Sequence, residues 1–381
     1  MMKKILLVTS VYTGAGHKSI SDSLTEQFSG MPDVEVQVID GFELMGKTGV
    51  RASRMYGFLT RHAMVVFNTA WRITMVHPPR FALSERLCSR RFMECIRVYH
   101  PDLILTVHSL FNTVLTRMLE AHGLNIPVVV VQADPVDIHS TWCNPKACMT
   151  ICSTREAYDS SVRQGMPAER LKILGFPVRS RFSRAAAQAD AEEYDASRPL
   201  RCLLMSGGEG CCNLRAYAEN ILEKTNSVLT IICGRNSKLR DRLRKSLGTK
   251  YGERLTVLGF VPDIEREMLH SDLLITRGSP NTLFEAVTLN IPLVVIGPMP
   301  EQEKDNPRLI KDHDLGVVCR SPDDIPQIIS FLLGSDALRL REIRSAQRSF
   351  RCLDNARNIA AYVAELTEQP EYTLQHTGSG K

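Results

Sequence analysis

Thr276-Arg277-Gly278-Ser279-Pro280-Asn281-Thr282-Leu283-Phe284-Glu285-Ala286 follows the apolar run Leu273-Leu274-Ile275 and precedes a second apolar run, Ile291 to Ile296. The loop Gly297-Pro298-Met299-Pro300-Glu301-Gln302-Glu303-Lys304-Asp305-Asn306 closes the stretch. The pattern reads strand, tight polar turn, helix, strand, polar loop. In a parallel sheet both loops fall at the same edge, where open α/β folds bind ligands. The turn Gly278 to Thr282 opens the helix, so its free N–H groups and positive dipole end suit an anion. Glu285 lies one turn inside this helix, read as a surface helix, and its carboxylate reaches back to ligand hydroxyls. The second loop holds three carboxylates, two amides and a lysine within six residues. A phosphate cradle beside a hydroxyl-reading loop suggests a nucleotide-sugar. A Glu near a helix start is also ordinary capping chemistry, so spacing alone leaves both readings open.

Outward from this stretch, the second half repeats the pattern. Leu200 to Met205 is a strand, and Ser206-Gly207-Gly208-Glu209-Gly210 its glycine turn. Val228 to Cys233 ends in Gly234-Arg235-Asn236, and Leu255 to Val261 is a further strand that carries Phe260. The first half opens the same way. Ile5 to Ser10 is a strand, Thr13-Gly14-Ala15-Gly16-His17-Lys18-Ser19 a glycine turn, and Ile20 to Phe28 an amphipathic helix. The turn is neither a P-loop nor a dinucleotide fingerprint, because the spacing of its glycines matches neither. Gly14 and Gly16 let another molecule approach the backbone. Val34 to Asp40 is the second strand. Pro101 to Val107 ends in His108-Ser109, and Ile126 to Val131 ends in Gln132-Ala133-Asp134-Pro135, followed by His139-Ser140-Thr141-Trp142. His17, His108 and Asp134 therefore converge on one edge and are the candidates for a general base. Any one of them alone fits a structural role. Pro135 stiffens the turn that holds Asp134. His17 lies at a helix N-terminus, whose dipole disfavours the imidazolium.

A chain of 381 residues fits two domains, and 44% hydrophobic with 23% charged residues is ordinary globular composition. The apolar run after Met2-Lys3-Lys4 is too short for a signal peptide, and no stretch approaches a membrane span. The 11 cysteines have irregular spacing and match no zinc motif, so reduced cytosolic thiols are expected. Charge is localised. Lys47 to Arg97 holds ten Lys/Arg against two Glu, while the whole chain is only +5. Apolar and aromatic residues are interleaved with these charges. Arg51, Arg54 and Arg61, with Phe67 and Trp71, suit an anionic membrane surface. The plain alternative is a set of packed helices with solvated basic faces. No nucleic-acid module accompanies the patch.

The two loops around Glu285 resemble the donor-binding signature of family-28-type GT-B glycosyltransferases, a group that includes diacylglycerol galactosyl- and glucosyltransferases. Gly14-x-Gly16-His17 is similar to the N-terminal signature of that group, and Val128 to Trp142 to its strand that delivers an Asp and then a His-x-x-Trp. The resemblance covers the chain to Leu366, with its diacylglycerol-glycosylating branch nearest. It departs at Ser279-Pro280-Asn281-Thr282, where the family has Gly-Pro-Gly-Thr, and at Glu301 and Asp305, where it has Gly. It implies an α/β GT-B fold of two Rossmann-like domains with the active site in the cleft between them. The expected division is 1–182 for an acceptor- and membrane-binding domain, 183–199 for a linker and 200–350 for the nucleotide-sugar domain. Residues 351–368 form a helix returning to the first domain, and 369–381 a disordered tail. The implied reaction is inverting transfer of a hexose from a UDP-sugar to a lipid acceptor, with no cofactor, no metal and no nucleic acid. Asp134 or His17 acts as base. Gly14, Gly16, His108, His139 and Trp142 line the acceptor side. Gly207, Gly208, Glu209, Arg235, Phe260, Val261, Arg277, Ser279, Pro280, Asn281, Thr282, Glu285, Gln302, Glu303 and Asn306 bind the donor. The enzyme would be cytoplasmic and peripherally membrane-associated. Alternatives are a GlcNAc transferase acting on a polyprenyl-linked precursor and a UDP-GlcNAc 2-epimerase.

Overall fold

The computed structural model describes residues 2–13, 15–76, 82–191, 194–195, 197–205 and 213–368. They form two compact units, each built on a parallel six-stranded sheet. The first unit takes residues 1–180, 300–302 and 354–381, and the second takes 181–299 and 303–353.

In the first unit the elements run β1 (Lys3–Thr9), α1 (Ala15–Phe28), β2 (Val34–Asp40), α2 (Gly41–Leu44), α3 (Gly46–His62), α4 (Met64–Val76) and α5 (Ala82–Tyr99). They continue with β3 (Leu103–Thr106), α6 (Ser109–Ala121), β4 (Val128–Val131), β5 (Met149–Cys152), α7 (Arg155–Arg163) and β6 (Leu171–Ile173). The sheet order is β2-β1-β3-β4-β5-β6. Every residue of β3 and β4 is buried, as expected of strands covered on both faces by helices. The order reverses between β1 and β3, and such a switch point opens a crevice at the carboxyl ends of the strands.

The second unit runs α8 (Ser180–Ala191), β7 (Arg201–Met205), α9 (Leu214–Lys224), β8 (Val228–Ile232), α10 (Ser237–Leu243), α11 (Thr249–Tyr251), β9 (Leu255–Leu258), α12 (Ile264–Leu269), β10 (Leu273–Arg277) and α13 (Pro280–Thr288). Then come β11 (Leu293–Ile296), α14 (Asn306–Asp312), β12 (Gly316–Cys319) and α15 (Ile325–Phe350). The order β12-β11-β10-β7-β8-β9 is the doubly wound dinucleotide-type arrangement, with its switch point between β7 and β10. A last helix, α16 (Asn355–Leu366), rejoins the first unit and packs on α1.

Two differences from the sequence expectation have clear causes. Residues 183–199 were expected to be a connection, yet α8 occupies most of the first half of that span. Its core-facing residues are Phe182, Ala186 and Ala189, and a stripe that is mostly alanine gives little apolar contrast. The span from 307 to 350, to which the sequence reading assigned no individual elements, holds nearly all of α14, with β12 and α15. α15 is broken at Gly334–Ala337, where Ser335, Asp336 and Ala337 adopt positive φ, so no single helical period runs through it.

A buried clasp joins β10 to the segment that leads into β7. The Asp272 side chain, 5% exposed, pairs with Arg198 at 2.6 Å and Arg201 at 2.9 Å. Burial pushes its carboxyl up, but hydrogen bonds from Arg198 and Arg201 outweigh that and hold it below the usual carboxylate range. A depressed carboxylate contributes stability that is complete above the unfolded pKa, about 3.9, and is lost as pH falls through the folded value. Asp272→Ala is expected to lower the unfolding free energy by about 3 kcal/mol at neutral pH. In urea titrations the gap from wild type should narrow below about pH 4.

Candidate active site

The parallel register of β1 and β3 sets Val8 opposite Thr106, so the segments after them leave the sheet side by side. That brings the His17 and His108 rings to 4.5 Å between centroids, with the Trp142 ring 6.3 Å from His17. His17 Nδ1 lies 2.7 Å from the Val107 carbonyl. A carbonyl only accepts, so the proton sits on Nδ1 and Nε2 keeps its lone pair. The residue retains some exposure, but its ring is enclosed. Burial pushes its pKa down to about 4, against the pull of the Val107 carbonyl. Burial, not the helix dipole expected from sequence, is thus the dominant cause.

His108 has a structural duty. Its Nδ1 accepts the Leu110 N–H at 3.2 Å and caps α6, and Phe42 and Phe111 flank its ring. Burial and the neighbouring His17 hold it well below the ordinary imidazole value. At the end of β4, half-buried Asp134 accepts the Trp142 indole N–H at 2.6 Å. Trp142 itself is buried and closes the turn Ser140–Trp142, which His139 caps. The fold of the first unit brings His17, His108, Asp134 and Trp142 close together, with His139 capping the turn that carries Trp142.

The basic segment is three helices, α3 to α5. Phe67 is 5% exposed and stacks 5.8 Å from Trp71. The Trp71 ring in turn lies 4.2 Å from His139. Both rings were expected to enter a headgroup layer, and in this arrangement they point inward. They lie on the inner face of α4, which the sequence, amphipathic in both readings, did not distinguish. Among the described residues of these helices, the exposed apolar side chains are Met55, Val65, Val66, Ile73, Leu83 and Val98. Among the described residues no helix is long and apolar enough to cross a membrane.

In the second unit β10 and β11 pair with Arg277 opposite Ile296, which sets their following loops side by side. Asn306 Nδ2 donates to the Gly278 carbonyl at 2.7 Å and is buried. Its amide holds two loops together, a structural duty beside the donor-binding one expected of it. A Cβ on Gly278 would meet Met299 Sδ at 2.7 Å, so the turn tolerates only glycine without rearrangement. Arg277 Nε lies 3.0 Å from Glu303 Oε2. Burial raises the Glu303 carboxyl, and Arg277 offsets this only in part. Arg277 and Glu303, both expected to bind the donor, here engage each other. Glu285 is buried, as is α13 from Thr282 to Thr288, so this is no surface helix. Ser279 precedes α13 without a side-chain cap bond, and Pro280 and Asn281 open it half-exposed. Past β8, Arg235 lies over the Phe260 ring at 5.2 Å. Phe260 is 60% exposed, an apolar platform beside a cation, with Val261 half-buried after it.

Gly14, Gly207, Gly208 and Glu209 lie outside the described residues, as does the Arg61 side chain. Gln302 is half-buried and, with Pro300 and Glu301, groups with the first unit. Sequence reasoning missed Phe42 and Phe111 around His108, and Thr74, whose Oγ1 is 3.2 Å from His139 Nε2. No local signal marks Phe42 and Thr74, which meet their partners only through the tertiary fold, whereas Phe111 sits in the first turn of the helix that His108 caps.

Residues 17–178 match the family model described as monogalactosyldiacylglycerol (MGDG) synthase, and residues 204–326 match the glycosyltransferase family 28 C-terminal domain. A probable chloroplastic monogalactosyldiacylglycerol synthase of Glycine max is 28% identical over 396 residues, covering 98% of this chain and 73% of the relative. A processive diacylglycerol beta-glucosyltransferase of Staphylococcus epidermidis is 26% identical over 344 residues, covering 88% of this chain and 85% of the relative. Among solved structures, MurG of Acinetobacter baumannii superposes with a TM-score of 0.64 at 14% identity, over 95% of this chain and 99% of that one. This likeness establishes the fold, GT-B with two Rossmann-like domains, which UDP-N-acetylglucosamine 2-epimerases share.

The loop clasp gives a direct expectation. Asn306→Ala leaves the buried Gly278 carbonyl without its donor, which costs about 1–3 kcal/mol. Thermal denaturation should show the loss, and UDP binding by calorimetry should weaken with it. An unchanged melting temperature would mean that the clasp contributes nothing.

Proposed function

The chain belongs to the family-28-type GT-B glycosyltransferases, and from that membership we propose that it moves a hexose from a UDP-sugar to diacylglycerol or a glycosyl-diacylglycerol. The observation that carries this reading is the match of residues 17–178 to the MGDG synthase model. That span contains His17, His108, Asp134, His139 and Trp142 together. The step is a displacement with inversion. The acceptor oxygen bonds to the sugar C1 as the bond from C1 to the UDP oxygen breaks, and the acceptor proton passes to the enzyme. Asp134, oriented by the Trp142 indole, is the favoured base. A histidine pushed down to about 4 holds a proton poorly, so His17 Nε2 suits a hydrogen bond to the acceptor. Negative charge grows on the leaving diphosphate and calls for a cation. Arg235 is exposed and, among the described residues, meets no carboxylate, whereas Arg277 must first part from Glu303. Glu285 would take the ribose hydroxyls, Gln302 the sugar, and Gly207 to Glu209 the diphosphate.

The acceptor would be drawn from a membrane to which the enzyme attaches peripherally. In α3 and α5, Lys47, Arg51, Arg54 and Arg91 line a cavity of about 390 Å³ with Glu43 as its one acid. Four cations beside exposed Met55 favour an anionic headgroup layer. Replacing Arg51 and Arg54 with Ser should weaken vesicle binding by about 1 kcal/mol per charge. Flotation indifferent to both anionic lipid and these changes would leave the segment as solvated helix.

Incubation with radiolabelled UDP-glucose, UDP-galactose and UDP-GlcNAc plus a lipid extract tests the reaction. Label in a glycosyl-diacylglycerol is expected. Label in a polyprenyl-linked lipid would change the acceptor, and an epimerised sugar without lipid product would sink the transferase reading. In the same assay Asp134→Asn should lower kcat roughly a hundredfold or more with donor binding retained. His17→Ala should raise the acceptor KM with a smaller kcat loss. A dead His17 variant beside a near-normal Asp134→Asn reverses the assignment.

A further inference from the structure

One face of α4 meets the turn that carries Trp142. Beyond the ring contact of Trp71 with His139, the Trp71 carbonyl is 3.4 Å and Thr74 Oγ1 3.2 Å from His139 Nε2. Ser140 Oγ donates to the Thr74 carbonyl at 3.3 Å. The other ring nitrogen is committed, since Nδ1 accepts the Thr141 N–H at 3.2 Å, with Thr141 Oγ1 also 2.8 Å away. An imidazole that accepts on Nδ1 carries its proton on Nε2. Nε2–H therefore donates into α4, to the Thr74 hydroxyl or the Trp71 carbonyl. Three residues beyond His139, the Trp142 indole holds the Asp134 carboxylate.

We propose that Trp71 and Thr74 are positioning residues, which keep His139 covered and in its Nε2–H form so that the Ser140–Trp142 turn stays closed and aims the indole at Asp134. The proposal rests on the reading of Asp134 as the acceptor-side base. A doubly protonated His139 has no lone pair on Nδ1, so the Thr141 N–H would lose its cap, and the new Nδ1–H would have to turn to Thr141 Oγ1, 2.8 Å away. Burial works against that form and lowers the His139 pKa, with the Trp71 carbonyl and Asp137 pulling it up. Asp137, on the same loop, is the nearby acid. On α4 the charged residue is Arg72, whose guanidinium is engaged by Glu301 at 2.8 Å. The sign follows. The neutral form's contribution is complete above the unfolded value, about 6.5, and is lost as pH falls through the lower folded value. Uncovering the ring lifts the folded value, so the loss moves up towards neutral pH.

The test uses the full chain. His139 is titrated by NMR in histidine-labelled protein without substrate, and turnover is followed against pH with a UDP-sugar and diacylglycerol vesicles. Trp71→Ala is expected to raise the His139 midpoint towards about 6.5. It should also move the acid limb of kcat upward by the same interval and leave the UDP-sugar KM unchanged. Below that midpoint kcat should fall roughly ten- to a hundredfold, the scale of a misplaced reacting group. Trp71→Phe keeps an aromatic cover and should restore both the midpoint and the rate. Thr74→Val removes the hydroxyl acceptor and should shift both in the same direction by less. It carries the test if Trp71→Ala does not fold. A His139 midpoint that neither Trp71→Ala nor Thr74→Val moves overturns the proposal, as does a kcat loss equal at every pH. If wild type turns over no UDP-sugar the transferase reading fails, while the His139 titration still decides the positioning.

Discussion

The pairing of β1 with β3, two strands far apart in the chain and adjacent in the sheet, is the constraint on which the first unit's site hangs. Every strand of that sheet points the same way, so each βα junction comes out at one edge. Because the order reverses at β1 and β3, the junctions there part and leave a crevice between them. Two imidazoles forced to 4.5 Å inside apolar surroundings stay neutral, since burial disfavours either charge and each charge opposes the other. The site thus keeps lone pairs and N–H donors in fixed places, which suits an uncharged acceptor hydroxyl better than a charged one.

The same rule operates in the second unit with a different result. There β10 and β11 deliver a guanidinium, a buried carboxylate and an amide to one edge, where Arg277 binds Glu303 and the Asn306 amide binds the Gly278 carbonyl. The arrangement is a closed set of contacts that a donor would have to enter by exchange. Arg277 and Glu303 form such an exchangeable pair, because each can return to the other when a ligand departs.

Much of this was legible in the sequence because its signals are local. An apolar run followed by Gly and a polar turn marks a strand and its junction, so the edge positions of His17, His108, Asp134 and Arg277 followed from the chain alone. What escaped was decided at a distance. Asn306 and Gly278 are 28 residues apart, and Thr74 and His139 65 apart, with no pattern in either stretch to announce the meeting. The inner and outer faces of α4 were equally hidden. Val65, Phe67, Trp71 and Ile73 are all apolar, and only the packing shows that the aromatic pair turns inward while Val65, 79% exposed, and Ile73 face out. α8 was missed for the opposite reason, because alanines bury too little area to stand out from a polar background.

The return of α16 to the first unit has a consequence for biosynthesis. Its apolar face, with Ile359, Ala360, Val363 and Leu366 buried, covers α1. Lys3 on β1 pairs with Glu368 at 2.8 Å, and Asn355 donates to the Phe176 carbonyl at 3.3 Å. Synthesis proceeds from the N-terminus, so the ribosome releases the first sheet long before the helix that completes it. The second unit, from α8 to α15, emerges whole in the interval and has all its strands in hand. The first unit is therefore begun before the second and completed after it, and its α1 stays without the cover of α16 while the second unit is made. A chaperone that recognises apolar helix faces would find its substrate there.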